Sequence, residues 1–352
     1  MVKKAPIEGV LGGVVIIDLT QMLAGPYCTM MLADHGADVI KIEPPEGDMS
    51  RRLGPYADGN DGQNHSGYFH SINRNKRSVV LDLKSPEGVL IFKRLIKKAD
   101  AVVEAMRPGA LKKLGLGYEE LQKINPKIVF CTLSGYGSSG PYQNMPSHGI
   151  AYDTWAGLIT PEIDELGFTR IPRDMPNVGI NVGPMLGAFA LLAGITRARE
   201  TGLGCQMELA QSDAAAYMDW YRIETWKAYE RSENEVTGNP SDDYERRPPG
   251  LAGMWEGVRY QIYESSDGHV LFMASEQAFW KNFCDGVGRS DLFEKWPGSK
   301  YADHAKGNIE LQHELKAIFK EKSSSEWIQF SEDENTPIAP VYNAKTAPNE
   351  RT

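Results

Sequence analysis

The stretch that most constrains the fold is residues 14–43, VVIIDLTQMLAGPYCTMMLADHGADVIKIE. Its apolar run at 14–19 reads as a buried strand. Gly25-Pro26 opens a helix, because proline lacks the amide hydrogen that a first helical turn leaves unpaired. Gly36 closes that helix, since glycine tolerates the left-handed conformation found at helix ends. Residues 38–43 read as the next strand. A strand–helix–strand unit with such short connections requires parallel strands and a right-handed crossover. Units of this kind hold ligands at the carboxyl ends of their strands, here TQMLA at 20–24 and PPEGD at 44–48. The first turn is not G-x-G-x-x-G, and the chain has no G-x-x-x-x-G-K-[ST]. The unit therefore predicts an α/β sheet and argues against NAD, FAD or ATP bound in the usual way.

Residues 44–70 read as a long loop, and loops of that length in compact domains are usually functional. NRNKR at 73–77 leads into a strand at 78–83, and Ser85-Pro86 starts a helix through 98. Further strands at 101–106 and 127–135 flank the glycine-punctuated helices of RPGALKKLGLGYEEL, giving a doubly wound sheet. A short helix at 152–158 and an irregular loop at 161–178 come next. Gly183-Pro184 then opens a long apolar helix that Gly202 closes. A strand at 205–211 and a helix capped by Ser212 complete a large domain, 1–231. The polar residues 232–253 mark a boundary. Residues 258–275 form a hairpin turning at Asp267-Gly268. Helices anchored by Phe279, Trp280, Phe283, Trp327 and Phe330 complete a second domain, 232–335, leaving 336–352 extended.

The 352 residues suit about two domains. At 41% hydrophobic and 24% charged the chain can build a core, and a net charge of −9 argues against nucleic acid or a membrane surface as partner. An anionic ligand must find a local cluster of cations. Cys28, Cys131, Cys205 and Cys284 show no C-x-x-C spacing and read as free thiols, which suits the cytoplasm. The start, MVKKAPIEG, has no signal-peptide core, and the apolar helix at 183–195 is too short to span a bilayer.

Six segments, in order, carry a resemblance: LTQMLAGPYCTMMLADHGADVIKIEPPEGD, NRNKRSVVLDLKSPEG, ADAVVEAMRPGALKKLGLGYEEL, INPKIVFCTLSGYGSSGPY, RARETGLGCQMELAQSD and VRYQIYESSDGHV. Together they resemble the family III CoA-transferases, the group of formyl-CoA transferase and the α-methylacyl-CoA racemases. The resemblance implies an α/β fold: a Rossmann-like large domain with a parallel sheet, plus a smaller α+β second domain. It implies coenzyme A as a substrate thioester, with no NAD, ATP or metal, and an interlocked dimer. That dimer is a homodimer, or a heterodimer with a homologous subunit. It also implies that 336–352 begins a return to the large domain.

The resemblance places CoA along Glu43 and Pro44, the cations Arg74, Lys76 and Arg77, then Arg107 and Lys113. Arginine and lysine suit phosphate through charge-assisted hydrogen bonds, although solvated surface charge is the plainer role of such residues. The family's transferases use an aspartate nucleophile in a G-D-x-x-x-G-like pattern. Here the text is Val178-Gly179-Ile180-Asn181-Val182-Gly183, so Ile180 or Gly179 stands at the aspartate position and no carboxylate is present. His148 matches the histidine with which the racemases exchange an α-proton, a role that suits its near-neutral pKa class. Glu264 matches their hairpin glutamate and is expected to orient His148. Asp153 reads either as a displaced nucleophile or base, or as a helix cap. Trp155, Trp220, Tyr221, Trp226 and Trp255 read as core, or as the lining of a bulky acyl pocket. Three functions compete: a CoA-transferase, an acyl-CoA racemase using His148, and a CoA-ester-binding subunit without activity of its own.

Overall fold

The structure is a computed structural model that describes residues 9–57, 65–175, 177–232, 235, 254–298, 304–343 and 346–347. The boundary read at 232–253 lies almost wholly outside the described residues. The chain divides into two compact units between Asp219 and Trp220.

In the first unit, β1 (Val15–Asp18), α1 (Ala24–Asp34) and β2 (Asp38–Glu43) form the expected crossover. A 3-10 turn at Met49–Arg52 and α2 (Gly67–Asn73) occupy the long loop. Then follow β3 (Arg77–Val80), α3 (Pro86–Ile96), β4 (Ala101–Glu104), α4 (Ala110–Lys113), α5 (Tyr118–Ile124) and β5 (Val129–Ser134). Ser85 accepts from the Gly88 amide, the cap its sequence position predicts. After α6 (Ile150–Trp155), a two-stranded ribbon of β6 (Glu162–Ile163) and β7 (Thr169–Arg170) interrupts the loop read as irregular. The long helix α7 (Val178–Thr201), β8 (Cys205–Ala210) and α8 (Gln211–Met218) close the unit.

The sheet is six-stranded and wholly parallel, in the order β3-β2-β1-β4-β5-β8. Strand order reverses between β1 and β4, and crevices that hold ligands open at the carboxyl ends of such a switch point. Apolar layers cover both faces, one built with α1 and α7 and the other with α3 and α5. Cys28 and Cys131 are buried in the first layer, and all four cysteines are free.

Two helix boundaries differ from the sequence reading. α7 starts at Val178, five residues before Gly183, so Pro184 sits inside it and the bond that its nitrogen would make to the Ile180 carbonyl is missing. By length and apolar composition this 24-residue helix could cross a bilayer, but Ala188, Leu191, Ile195 and Ala198 pack it into the sheet core. α8 starts at Gln211 and stops at Met218. Ser212 does not cap it; its amide donates to the Gly135 carbonyl at 3.1 Å.

The second unit begins with α9 (Trp220–Tyr229) and contains β9 (Tyr260–Glu264), β10 (His269–Met273), α10 (Gln277–Gly286), α11 (Ser290–Lys295), α12 (Ile309–Phe319), α13 (Ser324–Asp333) and β11 (Ile338–Pro340). β9 and β10 are the expected hairpin. β11 adds to β10 antiparallel, so residues 338–340 complete the small sheet. The core joins Trp280, Phe283, Phe319 and Trp327, with Phe279 and Phe330 packed against it.

Candidate active site

The carboxyl edge of the large sheet gathers the chemistry. β5 ends at Ser134, and the segment beyond it folds back through Ser147, whose Oγ donates to the Tyr152 hydroxyl at 3.3 Å. This seats α6 over the ends of β5 and β8. Asp153, in α6, is fully buried, and its Oδ1 accepts the Gly179 amide of α7 at 3.0 Å. The expectation that Asp153 caps its own helix is corrected: Gly149 stands at the start of α6, and Asp153 serves as a cap for α7 from 26 residues away. Asp153 Oδ2 is buried with no hydrogen-bond partner, and Gln211 Oε1 shares that condition. A buried acceptor left unmatched costs about 1–3 kcal/mol. Gly179 makes the close approach possible, since a Cβ there would meet Tyr152 Cβ at 2.6 Å and the Gln211 carbonyl at 2.9 Å. An aspartate at that position would have no room. Ile180 is half-buried, with its Cδ1 beside Gly149.

His148 lies exposed just before α6; its carbonyl accepts from the Ala151 amide at 2.8 Å. Glu264 belongs to the second unit, where it is exposed and ion-paired with Lys320 at 2.5 Å.

The basic loop separates from this edge. Arg74 pairs with Asp34 in the last turn of α1, and Arg77 with Asp38 at the amino end of β2. Both guanidiniums therefore lie toward the amino edge of the sheet. Lys76 is buried, and its Nζ donates to Asp18 Oδ2 at 3.1 Å, the Pro26 carbonyl at 2.7 Å and Asn73 Oδ1 at 2.9 Å. All three of its donors are used by these internal acceptors. Burial drives its pKa down to about 8 despite Asp18. Burial opposes ionisation of Asp18 too, but Lys76, Lys41 and the hydroxyls of Thr20 and Thr29 outweigh it and hold the carboxyl far below its usual range.

Glu43 is also internal. Its oxygens accept from Arg51 Nε at 2.7 Å, the Asp48 amide at 2.9 Å and Ser78 Oγ at 2.5 Å. These donors overcome desolvation and bring its pKa down to about 2. Glu43 thus ties Arg51, Asp48 and Ser78 together and builds the loop that begins at Pro44. Arg107 and Lys113 are exposed beyond the carboxyl end of β4 and make no ion pair among the described residues. Glu104 fixes the turn toward them: it accepts Thr132 Oγ1 at 2.6 Å and the Met106 amide at 2.7 Å. Burial pushes its pKa up.

The five aromatics read as core or pocket are exposed, Trp155 at 48% and Trp255 at 85%. Sequence reasoning missed Lys41, Asp48 and Gln211. A lysine inside the apolar strand VIKIE was the available signal, because a buried ammonium requires a buried partner.

A parallel doubly wound sheet with a switch-point crevice at the carboxyl ends of its strands defines a class of α/β protein that holds ligands there. The family model of CoA-transferase family III matches residues 11–352. Succinyl-CoA:mesaconate CoA-transferase from Haloarcula marismortui is 30% identical over 339 residues, covering 95% of this chain and 81% of that protein. Succinyl-CoA:glutarate CoA-transferase from Homo sapiens is 32% identical over 345 residues, covering 95% and 72%. A CaiB/BaiF family protein from Brucella suis superposes with a TM-score of 0.76 at 25% identity, covering 97% of this chain and 86% of that one. The chain belongs to CoA-transferase family III.

Proposed function

We propose that this chain transfers CoA from an acyl-CoA to a short dicarboxylic acid, with Asp153 as the carboxylate through which the acyl group and CoA pass. One observation carries the reading: Asp153 is anchored by one oxygen on the Gly179 amide, and its other oxygen is uncommitted. That amide lies at the turn where the family pattern places its aspartate. The named relatives act, by their names, on mesaconate and glutarate, which suggests the acid class.

Asp153 Oδ2 attacks the thioester carbonyl, the C–S bond breaks and CoA thiolate leaves, giving a mixed anhydride. The thiolate attacks the Asp153 carbonyl of that anhydride, releasing the first acid and leaving CoA bound to Asp153 as a thioester. The second acid repeats both steps in reverse and restores the carboxylate, with no net proton change. Because Asp153 is fully buried in this chain, acylation includes an opening of α6, a helix of only six residues. Arg107 and Lys113 hold the CoA phosphates or the second carboxylate of the acid.

The working unit is a dimer of this chain in the cytoplasm. The exposed Trp220 and Trp226 of α9 support a partner surface on the second unit.

Proton NMR in deuterated water, with an acyl-CoA and with or without succinate or glutarate, tests the function. CoA moving onto the added acid without deuterium at the α-carbon supports transfer. Deuterium incorporation dependent on His148 would replace it with proton exchange, and neither signal would leave a CoA-ester-binding subunit.

A further inference from the structure

We infer that Lys41 and Asp48 form a positioning pair that holds the crevice turn at residues 20–23 in one conformation, with Met22 aimed toward the acyl-CoA. The inference rests on the CoA-transferase reading only for the identity of that ligand.

Lys41 lies in β2 and is 1% exposed. Its Nζ donates to the Thr20 carbonyl at 2.8 Å and lies 2.8 Å from Asp48 Oδ2. The second contact is one of opposite charges without hydrogen-bond alignment, since Oδ2 has no aligned donor. Asp48 Oδ1 accepts the Met22 amide at 3.2 Å, the Ser50 amide at 2.8 Å and Ser50 Oγ at 2.8 Å. One buried ion pair therefore ties the turn after β1 to the loop after β2. These are the two segments that flank the crevice.

The Thr20 carbonyl is the first anchor of the turn; Met22, whose amide is the second anchor, adopts φ +68° immediately after it. A side chain with a Cβ is disfavoured there, and methionine lacks the local hydrogen bonds that let asparagine tolerate it. Such a conformation persists only where surrounding contacts impose it. A buried ion pair is a poor device for stability alone, because apolar residues of equal volume do as well or better. Both oddities have one explanation if the pair fixes geometry. The fixed geometry leaves Met22 with 37% of its surface exposed at the carboxyl edge. It also sets the start of α1, whose first residue, Ala24, follows Leu23.

The test uses the full chain with Asp48→Ala and Lys41→Met, each with and without Met22→Gly. The crystal structure of Asp48→Ala, which removes the acceptor for the Met22 and Ser50 amides, is read first and does not depend on any activity. Met22 should leave the left-handed region and the turn should shift; an unmoved turn with φ near +68° overturns the inference. The KM for acyl-CoA should rise about tenfold in Asp48→Ala, with kcat changed less than about threefold. In the Met22→Gly background that rise should fall below about threefold, because the aimed side chain is gone. An equal rise in both backgrounds also overturns it. Met22→Gly alone guards against a variant that does not fold: relief of strain should leave Tm unchanged or higher, and a fall of more than about 5 °C would mean that no strain was held there. A native chain that moved no CoA would refute the proposed function and leave the crystallographic outcome decisive.

Discussion

Asp153 Oδ1 accepts the amide hydrogen of Gly179 at 3.0 Å, while Oδ2 of the same carboxylate is buried without a partner. The two oxygens separate two roles that one substitution can divide. Asp153→Asn keeps an acceptor for Gly179 and removes the nucleophile. Transfer should fall on the order of 10³-fold or more with Tm nearly unchanged. Asp153→Ala should add a loss of about 1 kcal/mol, the size of a missing helix cap, measured by urea unfolding.

The cations of the first unit should divide by the same logic. Arg107→Ala and Lys113→Ala each remove an exposed, unpaired charge at the carboxyl edge. Each should raise the KM for acyl-CoA several-fold, more at low salt than at high, without changing Tm. Lys76→Met strands the buried Asp18 carboxylate. It should cost about 3–5 kcal/mol of stability and leave the KM of the folded fraction unchanged.

Acid should reveal Glu43. Its carboxyl titrates at about 2 in the folded chain, against an ordinary value of 4.5. A group depressed on folding contributes stability that is fully present above the ordinary value and is lost as pH falls through the folded one. At 1.36 kcal/mol per pKa unit, the contribution at neutral pH is at most about 3 kcal/mol. Urea unfolding from pH 6 to pH 2 should show a limb falling below about pH 4.5. Glu43→Gln should be less stable at pH 6, and its limb should be flatter. An unaltered limb would assign the acid sensitivity to other carboxylates.

The strand–helix–strand unit and the hairpin were legible because each is written in local pattern. Residues 38–43 became β2 without shift, and Ser85 capped α3 as its place predicted. The start of α7 was not legible, because its cap comes from Asp153, 26 residues earlier, and no local cap stands before Val178. The segment at 338–340 was extended as read, but its partner, β10, lies some 70 residues earlier in the chain. In the site, the absence of a carboxylate at Gly179 and Ile180 was plain from the sequence. Arg74, Lys76 and Arg77 look alike as NRNKR, yet Asp34, Asp18 and Asp38 bind them in three different ways. Their acidic partners lie 39 to 58 residues away and could not be assigned from the pentapeptide.

The most direct measurement of the central claim is mass spectrometry of the peptide that contains Asp153, from protein quenched during turnover with an acyl-CoA and a dicarboxylic acid. The account predicts a CoA thioester on Asp153, seen as the added mass of CoA, that disappears on treatment with hydroxylamine and is absent from Asp153→Asn. Steady transfer of CoA with an unmodified Asp153 peptide, or an adduct carried by another carboxylate, would contradict it.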